Sequence, residues 1–275
     1  MENTTGQRKG KGGKPKAIKD PRSFKVTDYL ALHQLQIPDA YDWTTLKKSA
    51  WGVFGNDSLN NCTCAAAGHM IKCWSANAST ESEISEEAIL NTYITLSKYD
   101  PITKQNDDGV YMIDALKYWR KNGIDQHHIR VFATVPHDRR EIVKASIYLF
   151  GGIYVGLQLP KSSEDQEIWA VKPGGLTGDN EPWSLGGHAV AILAYDETHL
   201  TCITLGQEKK MTWDFWETYN DEAYAIITQD FMKGDKNPLG LNLAAMEQDL
   251  MRLTQEKIRL AKRLAADHPE NVKPI

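Results

Sequence analysis

The chain has 275 residues, 41% hydrophobic and 25% charged, with a net charge of −4 at pH 7. That balance belongs to an ordinary soluble globular protein with room for one large domain or two lobes, and it excludes a polyanion binder driven by bulk charge. No stretch approaches the roughly 20 apolar residues of a membrane span, and the first residues lack the apolar run of a secretory signal. Four cysteines (Cys62, Cys64, Cys73 and Cys202) are too few for a disulfide framework in a chain this long, so a reducing cytoplasm is the expected location.

Charge is uneven. Residues 1–26 carry eight Lys/Arg against Glu2 and Asp20, a net +6, which leaves the rest at −10. Gly- and Lys-rich composition of this kind has too little apolar surface to order itself, so a solvated basic tail is expected, with nucleic acid as no more than a weak partner. An extended stretch through Pro38 to Trp43 follows. A Gly/Asn-rich loop, Gly52–Asn61, then leads into Cys62–Ala76, whose Ala, Met, Ile and Cys content predicts a helix buried on most sides, with Asn60 or Asn61 as N-cap. Further helices are predicted over Ile84–Ser97, where Ser85-Glu86-Glu87 is a start signal, over Gly109–Asn122, stopped by Gly123, and over Pro136–Phe150, closed by Gly151-Gly152. Then the texture changes. Ile153–Leu159, Ala189–Tyr195, Leu200–Leu205 and Ala223–Thr228 are short apolar runs between Gly, Pro and Asp signals, as in antiparallel strands. Helices first and strands second describe an α+β chain with two lobes: a helical N-terminal lobe at about 50–150 and a β lobe at about 151–234. The body so drawn spans 27–234. Residues 235–275 form a C-terminal extension in which Leu243–Ala266 reads as an amphipathic helix.

A thiol attacks a carbonyl only as a thiolate, which a helix N-terminus and a nearby imidazole both favour. Cys62 sits where the buried helix begins. Cys64, two residues on, points about 200° away and into the core, and Cys73 lies three turns deep. Asn56, six residues before Cys62, can offer its carboxamide N–H beside the Cys62 backbone N–H as an oxyanion hole. The base candidate is His188 in Gly186-Gly187-His188-Ala189-Val190, where two glycines let another backbone approach the ring. Trp183, with Gly186 and Gly187, is a candidate wall for a bound substrate. His69, on the same helix as Cys62, is a second and poorly placed base candidate. C-x-C without a second ligand pair is a weak zinc signal, so no metal or cofactor is assigned.

These residues resemble the papain-like cysteine peptidases, most of all a divergent branch of phage and bacterial sequences without a proregion. Asp42-Trp43, Asn61-Cys62-Thr63-Cys64-Ala65, Ile84-Ser85-Glu86-Glu87, Gly187-His188-Ala189-Val190 and Thr204-Leu205-Gly206 match the family's order and spacing from Tyr41 to Asp230. The resemblance implies a papain-like two-lobed fold, a peptide or protein substrate, and a Cys62–His188 dyad hydrolysing peptide or isopeptide bonds. It departs at Ile203, aligned with the family's orienting Asn, and at Leu205, aligned with its shielding Trp. Thr204 is therefore the candidate that orients His188. Two other readings stand beside the peptidase: a peptide- or protein-binding module that has lost turnover, and other acyl chemistry on the same dyad, as in transglutaminases, deamidases or amidases.

Overall fold

The computed structural model describes residues 13–18, 24–27, 36–249 and 252. The expected C-terminal helix begins on schedule, with residues 243–249 helical, and its remainder lies outside the described residues.

Helix α1 (Cys62–Asn77) is buried along all of its 16 residues, as its small and apolar side chains require. The carbonyl of Asn61 accepts the amides of Cys64 (2.9 Å) and Ala65 (3.0 Å), so Asn61 is the cap through its backbone. Its side chain is not the cap that was expected, because Asn61 Nδ2 donates to Phe54 O instead (2.7 Å). Helix α2 (Glu86–Ser97) starts as predicted, the Ser85 hydroxyl accepting from Ala88 N at 3.1 Å. Helix α3 (Met112–Asn122) turns Met112, Ile113, Leu116 and Trp119 inward and stops at Gly123. Helix α4 (Arg140–Phe150) begins later than the expected Pro136 and ends at Gly151, whose positive φ of 69° suits a residue without Cβ. Two carbonyls of its last turn also accept from tryptophans: Trp43 Nε1 reaches Ile147 O, which already takes the Gly152 amide, and Trp74 Nε1 reaches Phe150 O, both at 2.9 Å.

The strands are β1 (Phe24–Lys25), β2 (Tyr41–Asp42), β3 (Ile129–Thr134), β4 (Ile153–Leu159), β5 (Gly186–Tyr195), β6 (His199–Thr204), β7 (Gln207–Thr212) and β8 (Asn220–Thr228). They form one sheet in the order β1-β3-β8-β4-β5-β6-β7, with β2 also on β5; the ladders are antiparallel except β1 on β3. The architecture is mixed α+β. Three elements were not expected. Strand β3 falls in the stretch assigned to the helical lobe and joins the sheet by pairing with the distant β8. Edge strand β7 is almost wholly polar, with Met211 its one buried residue. Helix α5 (Trp213–Tyr219) is short and sinks Trp213, Phe215, Trp216 and Tyr219 into the core.

The solvated tail expected over residues 1–26 is also corrected where it is described. Phe24–Lys25 pairs with Ala133 and Thr134, and Gly13 and Lys14 are buried against the body. Hydrogen bonds and the ion pairs of Lys14 with Asp221 and Glu222 hold the first part of this segment, while Val26 is buried in the core with Phe24 packed against it; the average composition of the tail hid both.

Candidate active site

The turn before α1 is tied down from the neighbouring loop. Asp107 Oδ1 accepts the amide of Asn60 (2.8 Å) and the hydroxyl of Tyr93 (2.6 Å). This fixes where Cys62 emerges. The thiol is fully buried, and burial pushes its pKa up. Backbone N–H groups of Ala189 and Gly13, the positive charge of Lys14 and the hydroxyl of Thr63 act in the opposite direction by favouring the thiolate. Cys64 and Cys73 are buried thiols with pKa values pushed up by desolvation and belong to the core, as expected. Cys73 Sγ lies 3.5 Å from Trp43 O.

His188 stands across from α1 on β5, paired with Leu157 of β4. Its Nε2 is 2.8 Å from the Thr204 hydroxyl. Ile203 pairs with Ala191 and is fully buried, because consecutive residues of a strand point to opposite faces. Of the two neighbours it is Thr204, and not Ile203, whose side chain meets the His188 ring. Burial pulls the His188 imidazole down to about 4, so the ring is neutral over the physiological range. No hydrogen bond joins Cys62 Sγ to this ring; the adjoining residue, Ala189, turns its N–H to the sulfur instead. Helix and strand are therefore brought together with both groups in their neutral forms.

Asn56 is buried, and its Nδ2 donates to Leu59 O at 3.3 Å within its own loop, which leaves the second hydrogen of that nitrogen uncommitted. Gly187 and Trp183 are brought together: a Cβ on Gly187 would lie 2.6 Å from the indole. Gly186 adopts φ 135° where the chain enters β5. His69 is near enough to His188 for the two charges to repel, but its Nε2 lies 2.9 Å from Gly52 O and its ring edge-on to Trp51, so its own bond supports the loop before Asn56. Among the described residues no group of three or more His, Cys, Asp or Glu side chains is placed to hold a metal ion, and no helix is long and apolar enough to cross a membrane.

What sequence reasoning missed is a stretch of peptide already lying against these residues. Residues 13–18 run past Cys62, the Lys14 amide donating to Gly187 O at 2.9 Å. The signal was present in glycines rather than in the tail. Side chains at Gly109 and Gly187 would collide with the backbone of Gly13 and Lys14, and one at Gly156 with the Lys14 side chain.

No family model and no curated protein matches the chain by sequence. Solved structures do match by shape. Xylellain, a cysteine protease from Xylella fastidiosa, superposes with a TM-score of 0.59 at 15% identity, over 81% of this chain and 97% of that one. The fold is papain-like. The proform of the Amb a 11 cysteine protease of ragweed pollen gives a TM-score of 0.52 at 15% identity, over 75% of this chain and 74% of that one. Procathepsin B S9 from Trypanosoma congolense gives 0.53 at 11% identity, over 80% and 87%. Helix α1 packs against β5, with Cys62 at the start of the helix and His188 near the start of the strand.

Proposed function

We propose that the chain is a thiol hydrolase cleaving peptide or isopeptide bonds, with Cys62 as nucleophile and His188 as its base. The observation that supports it most is the hydrogen bond from His188 to Thr204, formed on the strand that faces the start of the Cys62 helix. With Nε2–H donating to the Thr204 hydroxyl, Nδ1 carries the lone pair and takes the proton from the Cys62 thiol. The thiolate attacks the scissile carbonyl, Nδ1–H returns the proton to the leaving amine, and water cleaves the thioester by the reverse exchange. The Cys62 amide and the second Asn56 hydrogen are the donors for the oxyanion. Thr204 is a positioning residue in this scheme.

The neutral ring and the missing sulfur–imidazole bond favour one other reading, a module that binds peptide without turning it over. A fluorogenic peptide panel separates the two. The hydrolase reading expects turnover that Cys62→Ala abolishes; peptide binding with no turnover by the unmodified chain would leave the binding module.

A further inference from the structure

The segment in the cleft ends in a built pocket. Lys14 has no exposed side-chain surface, and its Nζ lies 2.6 Å from Asp221 Oδ2 and 2.7 Å from Glu222 Oε1. Both carboxylates are nearly buried, at 11% and 8% side-chain exposure, and neither is surplus to the arrangement. Asp221 Oδ2 also accepts the Ala17 amide (2.8 Å), while Glu222 Oε2 accepts the Tyr224 hydroxyl (2.7 Å). The methylenes of Lys14 pass over Gly156, where a Cβ would fall 2.0 Å from Cε, and the ammonium sits 5.5 Å from the Trp183 ring centre. One cation thus answers two carboxylates. Emptied of it, the pocket would hold two near-buried like charges on adjacent residues of β8, which low-dielectric surroundings penalise. The depth left by Gly156 suits a long unbranched stem, and the two acids suit an ammonium.

We propose that the pocket floored by Gly156 and closed by Asp221 and Glu222 is the specificity pocket of this cleft, selecting a lysine side chain in the bound peptide, and that Lys14 of the chain's own N-terminal segment is its resident occupant. The word specificity rests on the hydrolase reading; the lysine preference does not. The segment is seated as an occupant. The Lys14 amide is bonded to Gly187 O at 2.9 Å, and Gly13 itself admits no side chain, since a Cβ would lie 2.4 Å from Asn60. An incoming peptide must therefore displace Lys14 before it reaches the thiol.

The test is binding of a fluorescent Gly-Gly-Lys-Pro-Lys-Ala peptide, followed by anisotropy on full-length protein carrying Cys62→Ala to prevent cleavage. With Lys14→Ala added to vacate the pocket, the peptide should bind at least ~10-fold more tightly than its analogue with norleucine at the third position, as expected for a charge-assisted contact. The chain that keeps Lys14 should bind it at least ~10-fold more weakly through competition in cis. Adding Asp221→Asn and Glu222→Gln should erase the lysine preference. Equal affinity for the two peptides, or no binding of either, overturns the proposal. Trypsin gives a second readout that keeps Lys14 in place: cleavage after the exposed Lys16 should be slow in the unmodified chain and ~10-fold faster in Asp221→Asn/Glu222→Gln, following the open population. Equal rates overturn the anchoring. Lysine preference without turnover would refute the hydrolase reading alone, whereas turnover indifferent to lysine would refute the pocket alone.

Discussion

The helix and the strand that carry the two candidate groups hold them by different means. Cys62 is held by backbone and packing: a helix buried on every side, a cap formed by a main-chain carbonyl, and a preceding turn fixed by Asp107. His188 is held by a strand and a single side-chain hydroxyl. A residue fixed by a whole helix tolerates the loss of any one contact, whereas a ring fixed by one hydrogen bond does not. Position is therefore robust on the helix and tunable on the strand.

The sharpest way to break the comparison is to remove the ring. His188→Ala should lower turnover about 10³-fold, within the range positioned acid–base groups supply, while iodoacetamide still reaches Cys62 once the cleft is open. Acid comes next. Burial holds both His188 and His69 near 4 against 6.5 for the free side chain. As pH falls, the unfolded chain takes up these protons first, so the neutral rings contribute their full stability above 6.5. That contribution declines from 6.5 to 4 and levels off below. Each ring corresponds to about 3 kcal/mol over that window. Denaturant midpoints measured from pH 7 to pH 4 should fall, and His188→Gln should flatten the slope.

Two smaller effects separate the neighbours on β6. Ile203→Asn should destabilise the fold by about 3 kcal/mol, since it removes a buried aliphatic group and leaves a carboxamide in the core. It should bring no gain in turnover, because residue 203 faces away from the ring; a gain would mean that the strand register is wrong. Thr204→Val should reduce kcat about 10-fold, the worth of one positioning hydrogen bond, and shift the pH profile, with Thr204→Ser restoring both. A Thr204→Val variant with an unchanged profile would show that the hydroxyl serves only packing.

How far the sequence was legible follows the same division. The Cys62 helix was readable because its burial on all sides is written in Ala, Met, Ile and Cys at every phase. The Gly-Gly-His strand was readable because its glycines and apolar run are local. Thr204 and Ile203 were confused in their alignment because a one-residue slip in a strand exchanges its faces, and only the pairing of Ile203 with Ala191 resolves it. Strands β3 and β7 were missed for a related reason: β3 owes its place to β8 nearly a hundred residues later, and β7 is a polar edge. The N-terminal segment was hidden most deeply. Its Gly and Lys content describes a solvated tail, and its fit depends on glycines at 109, 156 and 187 that lie far away in the chain.

The central claim, that Cys62 reacts with the help of His188, is tested most directly with a peptidyl epoxide probe, locating the adduct by mass spectrometry in the unmodified chain and in His188→Ala. The account predicts a single adduct on Cys62, formed at least ~100-fold more slowly in His188→Ala. An adduct on Cys64, or a rate on Cys62 that does not change without the imidazole, would contradict it.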